Sequence, residues 1–198
     1  MTQGIIEIQS MLDINNGLIT ATQITNAGIP RRCLSELVVA GKICKVDRGI
    51  YATPDVWEDE MYILQYRFSK GVFSHGTALY LHDMTDRTPH TFSMTFPHGY
   101  NAGGLKNKNV IVKYVTHSIY DLGISDVPSP DGNNVITYDI ERTLCDIVKG
   151  NNTCDIQMVN TAMKAYAASS TKDIGKLVEY AERLRVKPRI LTYMEILL

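Results

Sequence analysis

Long apolar runs are missing from this chain. No stretch approaches the roughly eighteen consecutive apolar residues of a membrane-spanning helix, so no membrane segment is expected. The N-terminal MTQGIIEIQSMLD has neither a basic start nor the apolar run of a secretory signal, which points to a cytoplasmic protein. A basic excess is also missing. Twenty Lys and Arg stand against 21 Asp and Glu, a formal net charge of −1. Any nucleic-acid site must therefore be local. The four cysteines, Cys33, Cys44, Cys145 and Cys154, form no CxxC pair and have no histidine at ligand spacing. They read as free, partly buried thiols in a reducing compartment. His75, His82, His90, His98 and His117 are scattered, and no third ligand completes a zinc site, so no metal is expected.

Enzyme signatures are absent too. There is no GxxxxGK[ST] loop, HExxH, GxSxG, or HxE followed by PCxxC. A glycine-serine turn followed by a DxD pair, the mark of a nucleotidyltransferase, is also lacking. Gly103-Gly104 is too short to bind a nucleotide alone. No catalytic residue, no cofactor and no enzymatic activity are expected.

What is present is ordinary globular material, 198 residues of which 44% are hydrophobic and 21% charged. It is organised locally. Ile5, Ile8, Met11 and Leu12 recur at helical spacing, and Asn15-Asn16-Gly17 ends that helix. Leu18-Ile19 reads as a short strand. Thr20 and Gln23 have capping-box spacing for a second helix, which Gly28 ends in a left-handed cap. Pro30 suits the first turn of a third helix with Leu34, Leu37 and Val38 inward. Gly41 stops it. Residues 43–48 and 50–52 are strand-like around an Asp47-Arg48-Gly49 turn.

Two helices joined by a tight glycine turn, then a β-hairpin, predict a winged helix-turn-helix. Between Gly28 and Ala52 there are five bases against two acids, Glu36 and Asp47, although residues 1–57 carry five of each. The positive charge is concentrated where phosphates would lie. Arg31 and Arg32 start the recognition helix and can reach guanine edges or phosphates; Ser35 lies one turn on. Arginine there opposes the helix dipole, a local conflict that favours function over a solvated helix end. Lys45 and Arg48 on the wing suit phosphate or minor-groove contacts, although charge also protects edge strands. Thr20, Thr22 and Gln23 could bond phosphates, but capping is sufficient to explain them.

The overall reading is α+β. A winged helix-turn-helix over residues 1–57 is followed by a mixed α/β domain over 58–198 that ends in several helices. Glu58 to Ser69 is expected as a joining helix, and Ser74 as the cap of a short helix through Leu81. Phe92, Met94 and Phe96 alternate with Thr91, Ser93 and Thr95, which predicts a half-buried strand. Residues 110–115 and 135–138 are further strands, and SDVPSPDGNN between them reads as loop. Asp139, Asp155 and Thr171 are candidate caps of three helices, and Pro188 opens a last one. Arg142 and Asp146 are four apart on the first of these and can pair with each other.

The stretch GLITATQITNAGIPRRCLSELVVAGKICKVDRGIYATP resembles the N-terminal winged helix of the AbiE-type abortive-infection antitoxins. GVFSHGTALYLHDMTDRTP and DIERTLCDIVKG resemble that family's next two signatures, so the resemblance covers most of the chain. It implies a type IV toxin–antitoxin system, part of phage defence. The N-terminal domain would bind inverted repeats in its own promoter, and repress it, through Arg31, Arg32, Ser35, Lys45 and Arg48. The C-terminal domain would counteract a nucleotidyltransferase-like toxin without a stable complex. Two copies of a monomer would bind DNA cooperatively. Ser74, Ala78, Arg142, Thr143 and Asp146 fall at motif positions, for antitoxicity or for the fold. Two other readings stay open: a C-terminal enzyme that modifies the toxin or its substrate, and a ligand-sensing transcription factor.

Overall fold

Thr20 sets the first corner of the structure. Its hydroxyl accepts from the Gln23 backbone N–H at 3.2 Å, while the Gln23 carboxamide accepts from the Thr20 N–H at 2.7 Å. This reciprocal bond opens α2 (Ala21–Asn26), which follows α1 (Gln3–Ile14) and the short β1 (Leu18–Thr20). The computed structural model describes residues 3–56, 59–105, 108–149 and 154–197.

The chain divides into two compact units. The first comprises Met1–Arg67 together with Pro128–Asn133, and the second Phe68–Val127 together with Asn134–Leu198. In the first unit, α2 turns through Gly28 (φ 71°) into α3 (Arg32–Val39). The hairpin of β2 (Cys44–Asp47) and β3 (Ile50–Ala52) follows, then α4 (Glu60–Arg67). The strands form a three-stranded antiparallel sheet in the order β1-β3-β2. Ile8, Leu12, Ile24, Leu34, Leu37 and Ile43 make the core beneath the helices. Cys33, at 3% exposure, takes the inward place on α3 expected of Val38, which is 37% exposed. At about 100° per residue, positions 33, 34 and 37 share one face and 38 turns past it.

The joining helix is shorter than expected, Glu60–Arg67; its expected start at Glu58 lies outside the described residues. Asp59 caps it, accepting from the Tyr62 N–H at 2.9 Å. The same fully buried carboxylate accepts from Ser129 Oγ and from Asn133 Nδ2 at 3.0 Å. Those bonds hold residues 128–133 in the first unit.

The second unit is a five-stranded mixed sheet with helices. Its strands are β4 (Val72–Phe73), β5 (Phe92–Pro97), β6 (Val110–Val115), β7 (Ile124–Pro128) and β8 (Asn134–Tyr138). They lie in the order β6-β5-β4-β8-β7, with β5 parallel to β6 and β4 parallel to β8. The fold is thus α+β, with an N-terminal winged helix and a mixed domain that ends in helices. The helices are α5 (His75–Leu81), α6 (His117–Tyr120), α7 (Ile140–Lys149), α8 (Ile156–Ala168), α9 (Ile174–Arg183) and α10 (Lys187–Leu197). Leu79, Leu144, Val159, Met163, Leu177, Ala181 and Ile190 form their shared core.

Three expectations are corrected here. Strand β5 is buried from Ser93 to Pro97, on both faces. Its polar residues are hidden because they find partners: Thr95 Oγ1 donates to Ser74 Oγ at 2.8 Å, and the Ser93 N–H to Thr77 Oγ1 at 2.9 Å. The first four residues of SDVPSPDGNN belong to strand β7, which lies at the sheet edge, where a polar sequence and Pro128 are tolerated, and its last, Asn134, opens β8. The cap of α9 is Asp173, which accepts from the Lys176 N–H at 2.9 Å, while the Thr171 hydroxyl pairs with Ser169. Asp139 and Asp155 cap α7 and α8 as expected.

Candidate nucleic-acid interface

The recognition helix begins against local stability. Arg31 stands at the N-cap of α3 with no side-chain cap bond, where Ser, Thr, Asp or Asn would each satisfy a free N–H. Arg31, Arg32 and Ser35 are all exposed, while Cys33, Leu34 and Leu37 between them are buried. The helix therefore presents two guanidiniums and a hydroxyl from its first turn and a half. Arg31 Nε donates to Thr25 Oγ1 at 3.0 Å, which steadies its side chain over the turn.

The wing is built on a second glycine. Gly49 (φ 77°) lets the hairpin reverse, and its carbonyl accepts from the Ala21 N–H at 2.8 Å. The register slips between Lys45 and Asp47, a bulge that twists the wing. Asp47 accepts from the Arg48 N–H at 2.6 Å and pairs with Arg67 Nη1 at 3.0 Å. All five bases of residues 28–52, Arg31, Arg32, Lys42, Lys45 and Arg48, are exposed. Of the two acids, Asp47 is neutralised by a base from outside the hairpin.

Recognition helix, α2 and wing enclose a cleft of about 520 Å³. Thr22, Arg31, Ser35 and Arg48 line it with Tyr66 and Arg67. Arg32 and Lys45 are exposed but do not line it. Thr20 is 2% exposed and its hydroxyl serves the α2 cap, with Gln23 as partner. Those two residues are placed as capping groups. Thr22 is exposed, and its hydroxyl lies 2.8 Å from the Tyr66 hydroxyl. Tyr66 and Arg67 were not legible as site residues, because they lie on a helix that reads as a connector. Only the fold brings α4 beside the wing.

The motif residues of the second unit lie inside it. Ser74, Ala78 and Arg142 have no exposure, Thr143 has 1% and Asp146 has 7%. Ser74 stands at the N-cap of α5, but its hydroxyl makes no cap bond; it pairs with His75 Nδ1 at 3.0 Å and accepts from Thr95. His75 holds a left-handed φ of 54°, and burial lowers its pKa from the usual 6.5. Arg142 Nε donates to Asp146 Oδ2 at 2.9 Å, Nη1 donates to the carbonyls of Ile119 and Leu122, and Cζ lies 4.2 Å from the Tyr138 ring centre. Thr143 Oγ1 donates to the Tyr138 carbonyl at 3.3 Å. These are contacts of an interior.

Among the described residues, no group of three or more His, Cys, Asp or Glu could hold a metal ion, and no helix is long and apolar enough to cross a membrane.

A helix–turn–helix followed by a two-stranded wing, with exposed bases on both, is a winged-helix module of the DNA-binding kind. Residues 8–54 match the family model described as "Transcriptional regulator, AbiEi antitoxin". The matched segment runs from α1 to just past β3 and contains Arg31, Arg32, Ser35, Lys45 and Arg48. No curated protein matches the chain. The crystal structure of the RV2827C protein from Mycobacterium tuberculosis is similar, with a TM-score of 0.47 and 12% sequence identity over 98% of this chain and 82% of that one.

Proposed function

We propose that this chain is the antitoxin of a type IV toxin–antitoxin system of phage defence, acting in the cytoplasm. Its winged helix binds inverted repeats in its own promoter and represses transcription. Arg31, Arg32 and Ser35 read base edges in the major groove, and Lys45 and Arg48 hold the phosphates. Monomers bind one per repeat and cooperate on the DNA. The C-terminal unit counteracts a nucleotidyltransferase-like toxin without forming a stable complex and without a catalytic step of its own.

One observation carries this reading. Of the five exposed bases of residues 28–52, Arg31, Arg32, Lys45 and Arg48 lie on the recognition helix and wing and Lys42 in the turn between them, in a chain whose net charge is −1. A surface so unlike the whole calls for a polyanion, and the geometry of helix and wing suits a duplex.

The test uses the full chain, its own promoter duplex and a scrambled duplex of equal length, followed by anisotropy. Preferential binding to the promoter, with one copy per repeat, is expected. Co-expression with the neighbouring toxin frame should relieve growth arrest. Equal affinity for both duplexes at every salt concentration would overturn the repressor role, and unrelieved arrest would overturn the antitoxin role.

A further inference from the structure

The last turn of α4 lies outside the matched segment 8–54, yet its side chains meet the wing. Arg67 Nη1 pairs with Asp47 Oδ2 at 3.0 Å, at side-chain exposures of 37% and 22%. Asp47 is the only acid in the wing, and it shapes the turn by accepting the Arg48 N–H. Left alone, that carboxylate would face incoming phosphates with like charge. Arg67 cancels it and ties the turn to α4. Tyr66 supports the same turn from below. A Cβ added to Gly49 would sit 3.4 Å from the Tyr66 hydroxyl oxygen.

The Tyr66 hydroxyl also pairs with Thr22 Oγ1 at 2.8 Å, on the wall of the cleft that Arg31 and Arg48 share. Two hydroxyls carry two protons, and their mutual bond uses one. The other can be donated outward. A donor flanked by guanidiniums suits a group that only accepts hydrogen bonds and carries negative charge. A phosphodiester oxygen is such a group.

We infer that α4 is part of the DNA interface: Arg67 is a positioning residue that fixes the wing turn through Asp47, and the Tyr66–Thr22 hydroxyl pair seats one backbone phosphate between Arg31 and Arg48. This rests on the DNA-binding reading above. The contact is to the backbone, so it strengthens binding to every sequence alike.

The experiment measures anisotropy of the full chain on the promoter and random duplexes over a range of KCl concentrations. Tyr66→Phe should weaken both duplexes equally, by about three- to tenfold, the span of one lost hydrogen bond. Its salt slope should stay unchanged, because no charge is removed, whereas Arg48→Ala should reduce the slope by about one. Arg67→Ala should weaken both duplexes, and Arg67→Lys, which keeps a cation for Asp47 and leaves the Asp47 bond to the Arg48 N–H in place, should restore affinity to within about twofold if the role is positioning. An Arg67→Lys variant that binds no better than Arg67→Ala would overturn the positioning role of Arg67. Wild-type affinity in the double variant Tyr66→Phe with Thr22→Val, which removes both hydroxyls, would overturn the phosphate seat while leaving the winged-helix reading intact. Failure of the unmodified chain to bind any duplex would overturn both.

Discussion

Arg142 and Asp146 lie one helical turn apart on α7 with Nε and Oδ2 at 2.9 Å, the arginine fully buried and the aspartate side chain 8% exposed. Their pairing is the simplest arrangement that two such residues on a helix can adopt. What makes it consequential is where α7 lies: every residue from Glu141 to Val148 is buried. A guanidinium in that position has no water to fall back on. It is held by Asp146, two carbonyls and the Tyr138 ring.

The first prediction concerns that pair. Asp146→Ala leaves a buried charge uncompensated and should cost about 3–5 kcal/mol of stability. The double change Arg142→Met with Asp146→Leu should cost less than Asp146→Ala alone, because it removes both charges together. Urea unfolding of the variants measures this. Additive losses would show that the pair is not a unit.

The second concerns sequence reading. Arg31→Ala and Arg32→Ala should each reduce the preference for promoter over random duplex by about 1–3 kcal/mol where the contact is bidentate. Both residues are exposed, so stability should stay within about 0.5 kcal/mol of the parent. The double variant should still relieve toxin-induced arrest while failing to repress. An unchanged preference ratio would place specificity elsewhere.

The third concerns pH. Burial lowers the His75 pKa below 6.5, an effect that neighbouring Asp146 opposes. Between the lowered folded value and 6.5 the unfolded chain binds more protons, so stability rises with pH there and is lost as pH falls. His75→Asn tolerates the left-handed backbone and should flatten the stability slope below pH 6.5. Unfolding at several pH values gives the slope directly, and an unaltered slope would count against a neutral buried imidazole.

The fourth concerns the thiols. Cys44 is exposed, Cys33 and Cys145 are buried, and burial pushes the Cys145 and Cys154 thiols up to about 12 and about 11. Brief alkylation near neutral pH followed by peptide mapping should label Cys44 first and Cys145 only after unfolding. Labelling of Cys145 in the folded chain would contradict its placement.

Much of the proposed DNA-binding surface is short-range information, and the sequence determined it alone. The Thr20–Gln23 capping box, the glycine turns at Gly28 and Gly49, and the cluster of five bases each involve residues a few positions apart. Their geometry follows from backbone preference and local bonding, so helix, turn and wing could be read in order. The burial of Cys33 in place of Val38 is nearly local too, a matter of 100° on one helix.

Contacts across long separations were decided only by the tertiary structure. Tyr66 meets Thr22 from 44 positions away, and Asp59 reaches Ser129 across 70. Ser93 and Thr95 look like the wet side of a strand until α5 and its hydroxyls cover them. No periodicity records such partners, because each side chain carries the same local propensity with or without its neighbour. Packing supplied them: a buried polar group must find its bond wherever the chain brings one within 3 Å or so. The same rule turned Arg142 from a solvent-compatible helix residue into an interior one.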